Sequence, residues 1–134
     1  MYYVALNGLR QIYSPTPNFI TDCTAYRKPY RRFLKKQLHT PYIEEHHIFP
    51  KSLKNHPALV NVDINCGKNL KLMPTIFATV DPHILVHQSH PAYNKYVRKQ
   101  LDTLVGHPDL DYQLFLLWGH LEQGLNFVGQ IPFK

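Results

Sequence analysis

An α+β fold follows from three features of this 134-residue sequence. Short segments with strand character occur at residues 2–6, 42–47, 60–65 and 69–74, several of them alternating apolar and polar side chains. Two later stretches, 92–104 and 111–122, repeat apolar residues at helical spacing. Turn residues divide these pieces: Asn7-Gly8, Pro15, Pro17, Pro41, Pro50, Pro57, Pro74 and Pro108 all fall between periodic runs.

The length predicts one compact domain over residues 1–134, long enough to bury roughly two thirds of its unfolded surface. Lys and Arg outnumber Asp and Glu by 15 to 9, a formal charge of +6, and 13% of residues are aromatic. That balance favours a polyanionic partner, nucleic acid before membrane. Only Cys23 and Cys66 are present, too few for a four-thiolate zinc site or a dense disulfide framework. Any metal would therefore depend chiefly on histidine. No apolar run approaches the ~18 residues of a membrane span. Residues 1–8 lack the basic and apolar regions of a signal peptide, so the default location is cytoplasmic.

In chain order, Asn7-Gly8 between apolar runs predicts a short N-terminal hairpin. From Pro29 the spacing of Tyr30, Phe33, Leu34 and Leu38 predicts a helix. Arg31, Arg32, Lys35 and Lys36 occupy its opposite side, as either a solvated face or a phosphate-tracking one. Tyr42-Ile43 leads as a strand into Glu44-Glu45-His46-His47, and Pro50 closes it. Residues 51–59 read as a short helix or ordered loop, and Asn69 opens a second strand to Pro74. Asp81-Pro82 predicts a helix start, an acceptor cap before proline, which would place His83 and His87 on one face. His90-Pro91 starts another helix with Tyr93, Val97, Leu101 and Leu104 as its stripe and Lys95, Arg98 and Lys99 on its flank. Gly106 and Pro108 end it. The last helix carries Leu114, Phe115, Leu117, Trp118 and Leu121, a core-packing face.

The chemistry concentrates at His46-His47. Imidazole binds transition metals and moves protons near neutral pH. In an extended strand adjacent side chains leave on opposite faces, so one ring can hold a metal while its neighbour approaches a substrate. Phosphodiester hydrolysis needs an activated water, a Lewis acid and stabilisation of the leaving oxygen, all within reach of such a pair with a cation. By softness, imidazole ligands suit zinc, nickel, manganese or iron.

Read together, Glu45-His46-His47-Ile48-Phe49-Pro50, Asn55-His56-Pro57, Val62-Asp63-Ile64-Asn65, Asn69-Leu70-Lys71-Leu72-Met73-Pro74 and His87-Gln88-Ser89-His90-Pro91 form an ordered set. Their order and spacing resemble the AHH family of the HNH/endonuclease VII superfamily, over roughly residues 44–105. The family is best known as nuclease domains of bacterial polymorphic toxins. The resemblance implies a ββα-metal, treble-clef-derived nuclease core, here embellished with additional helices and a short N-terminal hairpin. Residues 1–40 form an N-terminal extension and 107–134 a C-terminal helical part. It implies metal ligands at His46, His87 and His90, a general base at His47, and at Asn69 an amide that ties the strands together and steadies His47. One divalent cation is implied, with Mg²⁺ or Mn²⁺ usual for such phosphodiesterases and Zn²⁺ or Ni²⁺ also suited to the ligands.

The sequence departs from the family where Glu45 replaces the small residue before the two histidines, which makes Glu45 a candidate carboxylate ligand. His83 is a further candidate ligand by its spacing from His87. Lys95, Arg98 and Lys99, with Arg31, Arg32, Lys35 and Lys36, are the candidate phosphate contacts, giving affinity with weak sequence specificity. The expectation is a metal-dependent endonuclease hydrolysing phosphodiester bonds of DNA, with RNA the second candidate substrate. The alternative is a non-catalytic nucleic-acid-binding module keeping the metal finger as a structural clip. A toxin role would bring delivery out of the cell and an inhibitory immunity protein.

Overall fold

The computed structural model of the chain describes Lys36, residues 41–78 and residues 81–134. The expected N-terminal hairpin, and Arg31, Arg32 and Lys35 of the expected helix after Pro29, lie outside the described residues; Lys36 is helical and exposed. Strand β1 (Ile43–His47) pairs antiparallel with β2 (Leu70–Pro74), with Ile43 opposite Pro74, Glu45 opposite Leu72 and His47 opposite Leu70. Helices α1 (Pro91–Asp102) and α2 (Leu110–Gly124) come later in the chain. This is a small α+β arrangement of the ββα kind.

The connection from β1 to β2 is built from tight 3₁₀ turns at Lys51–Leu53, Pro57–Leu59 and Gly67–Asn69. The alternation at 60–65 does not become a strand. Its backbone is bonded locally instead: Val62 N–H donates to Leu59 C=O at 3.0 Å, and Asn65 N–H to the Asp63 carboxylate at 3.0 Å. Such side-chain acceptors compete directly with sheet pairing. Ile64 and Cys66 still turn inward, so the segment reaches the core without being a strand.

The helix expected from Asp81-Pro82 is also absent. Asp81 accepts the His83 N–H through its side chain at 2.8 Å and the Ile84 N–H through its C=O at 2.9 Å, closing a turn. An aspartate acceptor serves a turn as readily as a helix cap. Beyond that turn the chain runs extended, because Ile84 forms a bridge with Phe127 and His87 a parallel bridge with Thr75. His83 and His87 therefore never share a helical face.

α1 begins with Pro91, whose missing N–H costs nothing in a first turn. It buries Tyr93, Val97 and Leu101 as the periodicity predicts. Gly106, at φ +78°, turns the chain after it. α2 buries Leu114, Leu117, Trp118 and Leu121 and is pinned to the β2 side by polar contacts. Trp118 donates its indole N–H to Lys68 C=O at 2.7 Å, and Glu122 pairs with Lys71 at 3.0 Å. His56 clips the 3₁₀ turns to the end of α1, its Nε2 lying 2.7 Å from the Asp102 carboxylate while its Nδ1 accepts from Ala58 N–H at 3.1 Å.

Asn69 is the polar centre of this core, fully buried at 0% exposure. Its amide oxygen accepts from Phe49 N–H at 2.7 Å, and its NH₂ donates to Phe49 C=O at 3.0 Å and Ile64 C=O at 2.9 Å. Its own C=O accepts from Ile48 N–H at 2.8 Å. One side chain thus holds the exit of β1 against the loop that precedes β2. Asn69→Ala would leave three buried backbone groups without partners, each worth roughly 1–3 kcal/mol. The expected loss in urea denaturation is about 3 kcal/mol or more; a loss under about 1 kcal/mol would show that this network does not hold the fold.

Candidate metal centre

His46 sits at the fourth position of β1 and points into the core at 1% exposure. Strand alternation places Glu44 on its side of the sheet and sends Glu45 and His47 to the other. His87 is brought to it from a distant segment: its N–H donates to Pro74 C=O at 2.6 Å, which extends the sheet past the end of β2. His90 caps α1, and one helical turn later Tyr93 lies beneath it. The result is a close cluster. Ring centroids are 5.1 Å apart for His46 and His87, 4.9 Å for His46 and His90, and 5.7 Å for His87 and His90. One ring nitrogen from each of the three lies within 4.8 Å of the others.

The surroundings of each ring decide which nitrogen it offers. His87 Nδ1 lies 2.6 Å from a carboxylate oxygen of Glu44, which can only accept, so Nδ1 carries the proton and Nε2 the lone pair. His90 Nδ1 is likewise bonded to the Asn94 amide oxygen at 3.0 Å, leaving Nε2 as the donor to a cation. Outer partners of this type orient metal-binding imidazoles and raise their basicity. His46 has no hydrogen-bond partner on either ring nitrogen among the described residues. A buried polar group without a partner is costly, and a cation coordinated by this ring would satisfy it. The donor set fits a divalent metal.

Burial, then the neighbouring His90, His87 and His47 rings and Lys71, push the His46 pKa down to about 3. Burial also lowers that of His90. Both rings are therefore held neutral, the form that binds metal. Burial raises the Tyr93 phenol well above its ordinary value, and its O–H donates to Ile48 C=O directly after the two histidines.

His47, on the opposite face, has its Nε2 3.0 Å from the Asn65 amide oxygen. As placed, that oxygen accepts, so Nε2 carries the proton and Nδ1 is the basic nitrogen. Asn65 is thus a partner that orients His47, whereas the Asn69 side chain bonds the backbone at Phe49 and Ile64. Glu45 and His83 lie outside the cluster, Glu45 by strand alternation and His83 exposed in the Asp81 turn. Lys95, Arg98 and Lys99 are all exposed on α1. Sequence reasoning assigns no role to Glu44 or Asn65, although the period-2 link between Glu44 and His46 is a signal for the first. It also missed Phe133, whose ring lies 5.8 Å from His46 and 5.3 Å from His90.

The lowered His46 pKa carries a stability consequence for metal-free protein. The ring is neutral when folded but protonates near 6.5 when unfolded, so the unfolded chain binds the extra proton between about 6.5 and about 3. Stability from this group is full above pH 6.5 and falls as pH drops through that window, with a slope approaching ~1.4 kcal/mol per pH unit. Denaturation midpoints of apo protein at about pH 7.5 and about pH 5, on either side of the unfolded value, test this. His46→Phe, which cannot protonate, should flatten the difference; an equal pH dependence in both proteins would refute the assignment.

Comparison with known families places this geometry in context. A model of a nuclease family of the HNH/ENDO VII superfamily with conserved AHH matches residues 32–110, more than half of the chain, spanning both strands, the histidine cluster and α1. Comparisons with curated proteins and with solved structures find no match. The chain belongs to the AHH family of nucleases.

Proposed function

We propose that this protein is an endonuclease that hydrolyses phosphodiester bonds of nucleic acid, DNA as first candidate and RNA as second, at one divalent cation held by His46, His87 and His90. The observation that carries this reading is the convergence of three imidazoles, one of them buried without a hydrogen-bond partner among the described residues, beside a fourth on the opposite face of the same strand. Three protein ligands leave a coordination position open, the pattern of catalytic rather than structural sites. When bound, such a cation supplies Lewis-acid stabilisation of phosphate and leaving-oxygen charge.

The chain's own groups supply the rest. His47 Nδ1 takes the proton of the attacking water, while Asn65 holds the ring in the required tautomer through Nε2. Glu44 and Asn94 hold His87 and His90 with their Nε2 atoms toward the cation. Asn69 acts at one remove by holding Ile48 and Phe49, and with them the end of β1. Lys95, Arg98 and Lys99 on the exposed side of α1 contact phosphates without reading bases. No helix among the described residues is long and apolar enough to cross a membrane.

Nicking of supercoiled plasmid should stop in excess chelator and return with Mg²⁺, Mn²⁺, Zn²⁺ or Ni²⁺. His87→Ala should lose metal and activity together. His47→Ala should keep metal and DNA affinity but cleave ~10²–10⁴-fold more slowly, the usual contribution of a general base. Undiminished single-turnover cleavage by His47→Ala would remove it as the base. Binding without cleavage by the parent under every metal would leave a nucleic-acid-binding module.

Affinity for duplex DNA should fall with salt through counterion release, by a log–log slope of about 0.9 for each phosphate contact. Replacing Lys95, Arg98 and Lys99 with Ala should flatten that slope in proportion to the number of phosphates these side chains neutralise. An unchanged slope would return this flank of α1 to ordinary solvated surface.

A further inference from the structure

Beyond α2 the chain turns back toward the histidine cluster. Leu85 N–H donates to Asn126 C=O at 3.3 Å, Val128 N–H to His83 C=O at 2.8 Å, and Ile84 and Phe127 form a bridge. The tail therefore lines the segment that delivers His87. It is seated by Ile131, which lies so close to Gly124 that a Cβ there would come within 2.7 Å of the isoleucine Cγ2. It reaches Phe133, 6% exposed, whose ring contacts His46, His90 and Tyr93 at centroid separations of 5.8, 5.3 and 5.8 Å. Phe133 C=O accepts the Tyr93 N–H at 3.0 Å, a donor in the first turn of α1 that has no partner within the helix. None of these tail residues falls within the span matched by the family model, which ends at 110.

We propose that this C-terminal tail is a built wall of the metal centre and that Phe133 is a positioning residue for the His46 and His90 rings. The inference rests on the metal-binding reading of the cluster. Among the described residues His46 has no hydrogen bond to set its ring angle, so its orientation depends on the rings packed around it: His87, His90, Tyr93 and Phe133. Two of those four are themselves proposed ligands. Tyr93 is locked by its bonds to Ile48 and Phe133, which makes Phe133 the contact supplied from outside the matched core. Its aromatic face also keeps water from the buried side of the cluster.

The test uses Co²⁺ as a spectroscopic probe with the full chain. Phe133→Ala should weaken Co²⁺ binding by roughly 10–100-fold, the range seen when an outer contact of a metal ligand is lost. It should also change the visible ligand-field spectrum, while Phe133→Leu restores most of both. Gly124→Val, which displaces the tail through Ile131 and leaves Phe133 in the chain, should shift binding in the same direction. Because linkage is reciprocal, metal-free and Zn²⁺-loaded parent protein should differ in amide exchange at Tyr93 and Val128, slower with metal. This last measurement needs no variant to fold. If the parent binds Co²⁺ but Phe133→Ala binds it with the same affinity and spectrum, or if exchange at those amides ignores metal, the tail is no part of the centre. If the parent binds no Co²⁺ or Zn²⁺ at all, it is the metal-binding reading that fails.

Discussion

The register of the two-stranded sheet is the constraint on which the rest of this site depends. Side chains in a strand alternate with period two, so a slip of one residue would exchange the faces of His46 and His47. The buried ring would become the outward one and the convergence with His87 and His90 would vanish. Register is held at both ends. At one, Asn69 grips Ile48 and Phe49 through side chain and backbone; at the other, Thr75 N–H donates to Tyr42 C=O and its hydroxyl bonds Pro41 C=O. A sheet of two five-residue strands is marginal by itself. These polar clamps, with the apolar core behind β2 at Met73, make it definite.

Three imidazoles with one nitrogen of each within 4.8 Å of the others are an unfavourable arrangement if more than one is charged. The fold resolves this by grading their surroundings. His46 is buried and surrounded by rings, His90 is half-buried with an amide oxygen as partner, and His87 faces a carboxylate. Burial and the neighbouring rings hold the inner ring neutral, while Glu44 accepts a hydrogen bond from Nδ1 of the outer one. Since Glu44 and His46 are two apart on β1, the buried ring of the cluster and the support of its neighbour come from one strand face.

Much of this was legible in the sequence because the relevant signals are local. Both strands around the histidines, the start of α1 at Pro91 and the buried faces of α1 and α2 follow from periodicity and proline placement. Asp81-Pro82 misled because an aspartate acceptor followed by proline is a shared opening for helices and turns; the choice was made by Thr75 and Phe127, which bond the segment after it as extended chain. The 60–65 alternation misled in a similar way, its backbone being captured by Asp63. Glu44–His87, His47–Asn65 and Phe133–His90 join residues 43 apart, 18 apart and from opposite sides of α1 and α2 in the chain. No periodicity reports pairings of that range.

The same long-range pairings give the two neighbouring histidines separate surroundings. His46 and His47 are adjacent, yet they answer to different supports. His46 packs against rings from the 87–93 segment and the tail, and His47 bonds to Asn65 from the loop before β2. β1 is the element that the two sets share. Asn69 is tied to both sides of it, through Phe49 after the histidines and Ile64 before Asn65. On the function proposed above, substitutions around Phe133 would act on the cation side and those around Asn65 on the proton side, whereas a change at Asn69 would disturb both at once.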